Sequence, residues 1–210
     1  MKLYCASTNR GKLREFRLAV VRLGQQQFEV DPAPGLEDME PCEETGMSFE
    51  ENAVQKAVYY SRSAPGLLFA DDSGIEVRAL GGAPGVNSAR YSGPGATDES
   101  NNRLVLEKLY CVDDRAAQFV CVIALAQQGR LVATFRGVVE GAILHEPRGA
   151  GGFGYDPLFF YPPLGCAFAE IPAEAKLTVS HRGRALTKML EYLERLKASV
   201  SGGVELPEKS

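Results

Sequence analysis

The chain has 210 residues, 45% of them hydrophobic and 24% charged, which suits a single domain with a sizeable core. Its formal net charge of −4 argues against non-specific nucleic-acid binding, which needs basic surface to displace counterions. No apolar run approaches the ~20 residues that span a bilayer, and the N-terminus lacks the parts of a signal peptide. Five cysteines, Cys5, Cys42, Cys111, Cys121 and Cys166, show no Cys-x-x-Cys pair. They read as reduced thiols, mostly in the core, of a cytoplasmic protein, and no zinc site is expected.

Helical and strand patterns alternate, which predicts an α/β fold with a mixed sheet. Leu3-Tyr4-Cys5-Ala6 reads as a strand, and Leu13, Phe16, Val20 and Leu23 share one face of the helix that follows. Phe28-Glu29-Val30 is a short strand, followed by a Pro/Gly/Glu-rich loop from Pro32 to Gly46. Ser48 and Glu51 form a capping-box pattern that starts a second helix, with Phe49, Ala53, Ala57 and Tyr60 on one face. Leu67–Ala70 is a buried strand ending in Asp71-Asp72-Ser73-Gly74. After a turn-rich stretch around Gly81–Gly85, Thr97 caps a helix carrying Leu104, Leu106 and Leu109. Two long strands, Ala117–Ala126 and Leu131–Val139, meet at a Gly129-Arg130 hairpin. The last helix, Arg182–Ser199, places Leu186, Met189, Leu190, Leu193 and Leu196 on one face. One domain over residues 1–200 and a polar tail over 201–210 are expected.

Six places along the chain carry groups with chemical potential. The strand-to-helix passage Ser7-Thr8-Asn9-Arg10-Gly11-Lys12 suits a phosphate: helix N-terminal N–H groups and the dipole favour an anion, and a lysine adds charge. Asp71-Asp72-Ser73-Gly74 places carboxylates at a strand end, where one can bind a hard cation or take a proton from water, or can simply close a turn. Glu43-Glu44-Thr45-Gly46 can supply a second carboxylate for Mg²⁺, or is a solvated loop. Lys56 stands one residue from an apolar stripe and can lean toward a cleft. Gly151-Gly152-Phe153-Gly154-Tyr155-Asp156-Pro157 offers aromatic faces for a base and a carboxylate for ring N–H donors, or is a turn anchored by core aromatics. Lys176 and Ser180-His181-Arg182-Gly183 precede the last helix. Arginine has donors only, so it matches a keto oxygen and mismatches an amino group.

Taken in order, these blocks, with Phe49-Glu50-Glu51-Asn52-Ala53, Gly81-Gly82-Ala83-Pro84-Gly85 and Ser88-Ala89-Arg90-Tyr91-Ser92, resemble the inosine/xanthosine triphosphate pyrophosphatases, the dITP/XTP house-cleaning enzymes. The opening Ser-Thr-Asn departs from the Thr-Gly-Asn frequent in relatives, but Asn9 and Lys12 are kept.

The resemblance implies a central mixed sheet in an elongated α/β fold, with flanking helices and two lobes around a substrate cleft. It implies a homodimer, and Mg²⁺-dependent hydrolysis of ITP, dITP and XTP to monophosphate and pyrophosphate. It places Ser7, Thr8, Asn9, Arg10, Gly11 and Lys12 at the triphosphate, with Lys56 nearby. It makes Glu43 and Asp72 metal ligands, Asp72 also the proton acceptor, and Ser73 a substrate contact. Phe153, Gly154, Tyr155 and Asp156 hold the base with Phe153 stacking, Lys176 reaches the phosphates or base, and His181 with Arg182 reads the six-keto edge. A Maf-like pyrophosphatase would open on a Ser-x-Ser-Pro-Arg-Arg type motif, absent here. A silent nucleotide-binding module would break the carboxylate set, and a deaminated-base DNA repair enzyme would want a basic groove, against the pI of about 5.4.

Overall fold

The computed structural model describes residues 1–22 and 27–201. Its strands are β1 (Lys2–Cys5), β2 (Glu29–Pro32), β3 (Leu68–Val77), β4 (Ala116–Gln127), β5 (Arg130–Ile143), β6 (Phe159–Tyr161) and β7 (Cys166–Ala167). Its helices are α1 (Arg10–Arg22), α2 (Phe49–Ser61), α3 (Asp98–Lys108), α4 (Ala173–Val179) and α5 (His181–Ser201). The strands form one mixed sheet in the order β2-β1-β3-β4-β5-β6-β7, parallel among β2, β1 and β3 and antiparallel from β3 onward. Among the described residues no helix is long and apolar enough to cross a membrane.

Successive strand residues face opposite sides of a sheet, and here that alternation divides the core. On one face, Phe69, Ile123 and Leu125 pack with Phe16 of α1 and with Leu186 and Met189 of α5. Farther along the same face, Ile75, Val77 and Phe119 pack with Val105 of α3 and with Leu109 at its C-terminal cap. The other face buries Phe49, Ala53 and Ala57 of α2 against Leu68, Ala70 and Val122. The Ser48–Glu51 capping box starts α2, and Thr97 caps α3 with Ser100 as its reciprocal partner.

The structure corrects several expectations. Asp71–Gly74 does not end its strand: β3 continues to Val77, paired residue for residue with β4. Gly74 lets the chain continue at a close contact, since a Cβ there would meet Gly85 O at 2.7 Å. The hairpin turn is Gln128-Gly129, both at positive φ, and Arg130 already pairs with Gln127. That is the twist-matched two-residue turn of a hairpin. Leu196 is exposed, while Leu186, Met189, Leu190 and Leu193 are buried as expected. The five cysteines are free, but only Cys5 and Cys121 are in the core. The short β6, β7 and α4 carry too few residues to show a period. Leu23 and residues 202–210 lie outside the described residues.

β1 pairs with β3 only through Leu68 and Phe69, and its last bond is Ala6 N to Phe69 O at 2.9 Å. The same side of β3 is next engaged by Ile75 N, which donates to Ser88 Oγ at 2.9 Å. Between them no described residue pairs with that edge of β3, and a cleft opens along it. Residues from both faces of the sheet therefore reach one site.

Candidate active site

A cleft of about 270 Å³ is lined by Asn9, Lys12, Glu44, Lys56, Asp72 and Ser73 together with Phe153, Lys176, His181 and Arg182. Asn9 caps α1, its Oδ1 accepting from Lys12 N at 3.1 Å. This fixes the helix N-terminus beside the cleft. Ser7, Thr8 and Gly11 lie on the same passage, and Asn9 N donates to Ser7 Oγ at 3.3 Å. The Arg10 side chain lies outside the described residues.

Asp71 and Asp72 diverge, as neighbours on a strand must. Asp71 takes Lys12 Nζ at 2.9 Å and lies 3.7 Å from Arg182 Nε. Burial pushes its pKa up, but Lys12, Arg182 and Lys56 outweigh that and hold the carboxyl below the usual range. Asp72 accepts from Lys56 Nζ at 2.9 Å and Asn52 Nδ2 at 3.3 Å. Its burial dominates, so its pKa is raised despite Lys56. Lys56 also meets Glu44 at 3.3 Å, and its own pKa is raised because Asp72, Asp71 and Glu44 outweigh desolvation.

Glu43 does not join this group. It is exposed and forms no part of the cleft wall, whereas Glu44, one residue on, faces Asp72 across the Lys56 ammonium. Among the described residues no three His, Cys, Asp or Glu side chains converge as a ready-made metal site. Asp72 and Glu44 are nevertheless hard oxygen donors meeting at one cation. That fits an ion held by one or two carboxylates, with water and phosphate completing the shell.

A buried ion network also borders the cleft. Lys176 Nζ meets Asp156 at 2.5 Å and Glu15 at 3.3 Å. Arg182 pairs with Glu15 and donates to Ser73 Oγ at 2.9 Å, and Ser73 donates to Asp71 at 3.1 Å. Burial raises the Asp156 pKa, partly offset by Lys176. For Glu15, Arg182 and Lys176 outweigh burial and lower it. Phe153 lies under both cations, 5.2 Å from Lys176 Nζ and 5.6 Å from Arg182 Cζ, within cation–π range. His181 stacks on Phe119 with centroids 4.6 Å apart, and its burial depresses its pKa well below the ordinary histidine value. Among the described residues, His181 Nδ1 and Arg182 Nε have no hydrogen-bond partner.

Two expected contacts take other roles. Tyr155 lines the cleft but is buried in the apolar cluster, and its hydroxyl donates to Ser88 O at 2.8 Å. Asp156 Oδ2 accepts from Phe153 N at 2.9 Å as well as from Lys176, so it braces the loop. Glu15, Glu44 and Asn52 were not singled out from the sequence. Glu15 stands three residues after Lys12 and beside Phe16, and Asn52 three after Phe49, so both sit on buried helix stripes where a polar residue is a signal. A larger groove, about 770 Å³, between α5 and β5 is lined by Arg22, Arg136, Arg184 and Lys188 but holds only one carboxylate, Glu191. It lacks the paired acids of the smaller cleft.

The chain matches the Ham1 family model over residues 3–192. It is 49% identical over 202 residues to a dITP/XTP pyrophosphatase of Acidobacterium capsulatum, covering 92% of this chain and 98% of that one. It is 47% identical over 189 residues to a dITP/XTP pyrophosphatase of Exiguobacterium sp., covering 90% and 95%. Its fold superposes on the Staphylococcus aureus Ham1 protein with a TM-score of 0.83 at 38% identity, covering 93% and 100%. A HAM1 protein from Coxiella burnetii gives 0.82 at 39% identity, covering 93% and 99%. The chain therefore belongs to the Ham1 family.

Proposed function

We propose that this protein hydrolyses deaminated purine nucleoside triphosphates, dITP, ITP and XTP, to the monophosphate and pyrophosphate. The observation that carries this is Asp72, a buried carboxylate of raised pKa on the free edge of β3. It lies between a capped helix N-terminus and a wall of aromatic and donor groups.

Burial makes Asp72 a stronger base than an exposed aspartate, which suits it to take a proton from an attacking water. Asn9, Lys12 and the N-terminus of α1 hold the phosphates, with Ser7, Thr8, Arg10 and Gly11 on the same passage. Lys56 is placed to follow the charge that builds on them, and Ser73 contacts the substrate. Phe153 stacks the base, held by Gly154 and Asp156 of its loop. His181, Arg182 and Lys176 face the purine edge. Arg182 meets an acceptor in a six-keto purine and a donor in adenine, and a mismatched polar pair is worth on the order of 10³-fold or more.

The divalent cation is Mg²⁺ in this reading, held by Asp72 and Glu44 in place of the expected Glu43. When bound, it neutralises phosphate charge. A homodimer working in the cytoplasm, built as a single domain over residues 1–200, completes the proposal.

Pyrophosphate release from ITP, XTP, dATP and GTP with Mg²⁺, with Asp72→Asn alongside, tests it. Fast release from ITP and XTP, slow release from dATP and GTP, and an inactive but folded variant are expected. No release from ITP or XTP by folded wild type would overturn the reading.

A further inference from the structure

We propose that helix α3 positions the base-stacking loop, acting through Asp98 and Asn102 on the backbone of Gly154. This rests on the reading that Phe153–Asp156 holds the base. Asp98 and Asn102 are four residues apart, so they share one helix face. Asp98 Oδ2 accepts from Gly154 N at 2.6 Å, and Asn102 Nδ2 donates to Gly154 O at 2.9 Å. Both backbone polar groups of one residue are thus held by one turn of helix. Gly154 has φ +63°, the left-handed region that glycine enters at least cost.

The neighbour of that clamped residue is Phe153. Its N–H is fixed by Asp156 and its ring lies under Lys176 and Arg182. The same helix holds a second cleft segment. Asn101 accepts from Ser92 N at 2.8 Å and donates to Ala89 O at 3.2 Å. Asn101 and Asn102 are 2% and 8% exposed. Buried amides need partners: Asn101 finds its two in one loop bordering the cleft, and Asn102 Nδ2 finds Gly154 O in the other, while its Oδ1 has no partner among the described residues. The helix is fixed at its start by the Thr97–Ser100 capping box, and Val105 within it and Leu109 at its C-terminal cap are buried in the apolar cluster. Asp98 and Asn102 are positioning residues: they act on the base through Phe153.

The test measures kcat and KM for ITP and ATP in wild type, Asp98→Ala, Asp98→Asn, Asn102→Ala and Val105→Ala, each checked for folding by urea denaturation. Asp98 is exposed at the helix start, so its variants keep the fold. The ITP-over-ATP ratio of kcat/KM is expected to fall about tenfold in both alanine variants. The fall comes mainly through KM for ITP. Asp98→Asn keeps an acceptor and keeps the ratio. Val105→Ala loosens the packing of the same helix and keeps the ratio while losing stability. An unchanged ratio in Asp98→Ala, or an equal fall in Val105→Ala, overturns the clamp while leaving the enzymatic reading intact. Failure of wild type to hydrolyse ITP overturns that reading itself, and the clamp with it.

Discussion

Glu15 of α1 and Arg182 of α5, 167 residues apart, form a buried ion pair, and the same carboxylate takes Lys176 at 3.3 Å. One anion thus keeps two cations together at the base end of the cleft. Glu15→Gln leaves both without their shared counter-charge. Removing one partner of a buried pair costs about 3–5 kcal/mol. Urea denaturation should show a loss in that range, with a narrower preference for ITP over ATP. A loss under about 1 kcal/mol would mean that solvent already screens the pair.

Lys56 sits between Asp72 and Glu44, where a divalent cation would make its protein contacts. The ammonium and the ion compete for the same oxygens. Lys56→Met should therefore tighten Mn²⁺ binding to the nucleotide-free protein, roughly tenfold, while slowing pyrophosphate release. Titration calorimetry without nucleotide reads the first effect. Unchanged or weaker Mn²⁺ binding would show that Lys56 does not occupy the ion's place.

His181 is buried and its pKa lies well below the ordinary value, chiefly through desolvation, with Arg182 and Lys176 adding to it. Below about pH 6.5 the unfolded chain takes up a proton there and the folded chain does not. Stability is then lost as pH falls, by up to about 1.4 kcal/mol per unit from this group. Urea midpoints between pH 7.5 and 5.5, compared with His181→Gln, measure it. The variant should show the shallower dependence, and identical slopes would assign the effect elsewhere.

Gly74 has no room for a side chain: a Cβ would meet Gly85 O at 2.7 Å and Ser88 Cβ at 2.8 Å. Gly74→Ala should cost about 1–3 kcal/mol and displace the neighbouring Ser73, lowering kcat. A thermal melt and an ITP assay check both. Full stability would mean that the 85–88 turn yields freely.

The elements with long periods were legible in the sequence. The apolar stripe of α5 from Leu186 to Leu193 and the capping box of α2 follow from local rules, and both stand where those rules put them. The two central strands were legible as well, but the turn between them moved by one residue because Gln128 accepts positive φ. The extent of β3 was hidden, because its polar Asp71-Asp72-Ser73-Gly74 looks like a strand end. Ladder pairing with the apolar β4 carries it on, a non-local cause that no window of sequence contains. Glu44 against Glu43 is a question of which way one loop residue points. Glu15 was obscured because its partners, Lys176 and Arg182, lie at the far end of the chain.

The pairing of four cleft cations has a consequence for how a substrate arrives. Lys12, Lys56, Lys176 and Arg182 each face a carboxylate of the protein. Their charge is cancelled at short range, so these four project little positive field into solvent and leave long-range steering of a polyanion to Arg90, which lines the cleft and donates to Asn87. Capture becomes an exchange of partners: phosphate oxygens displace carboxylates from lysines that are already in place. A nucleotide whose charge is reduced by its own counter-ion enters that exchange with less repulsion from Asp72 and Glu44 than a bare one. The cleft thereby selects for the ion-complexed form of the substrate before any bond is broken.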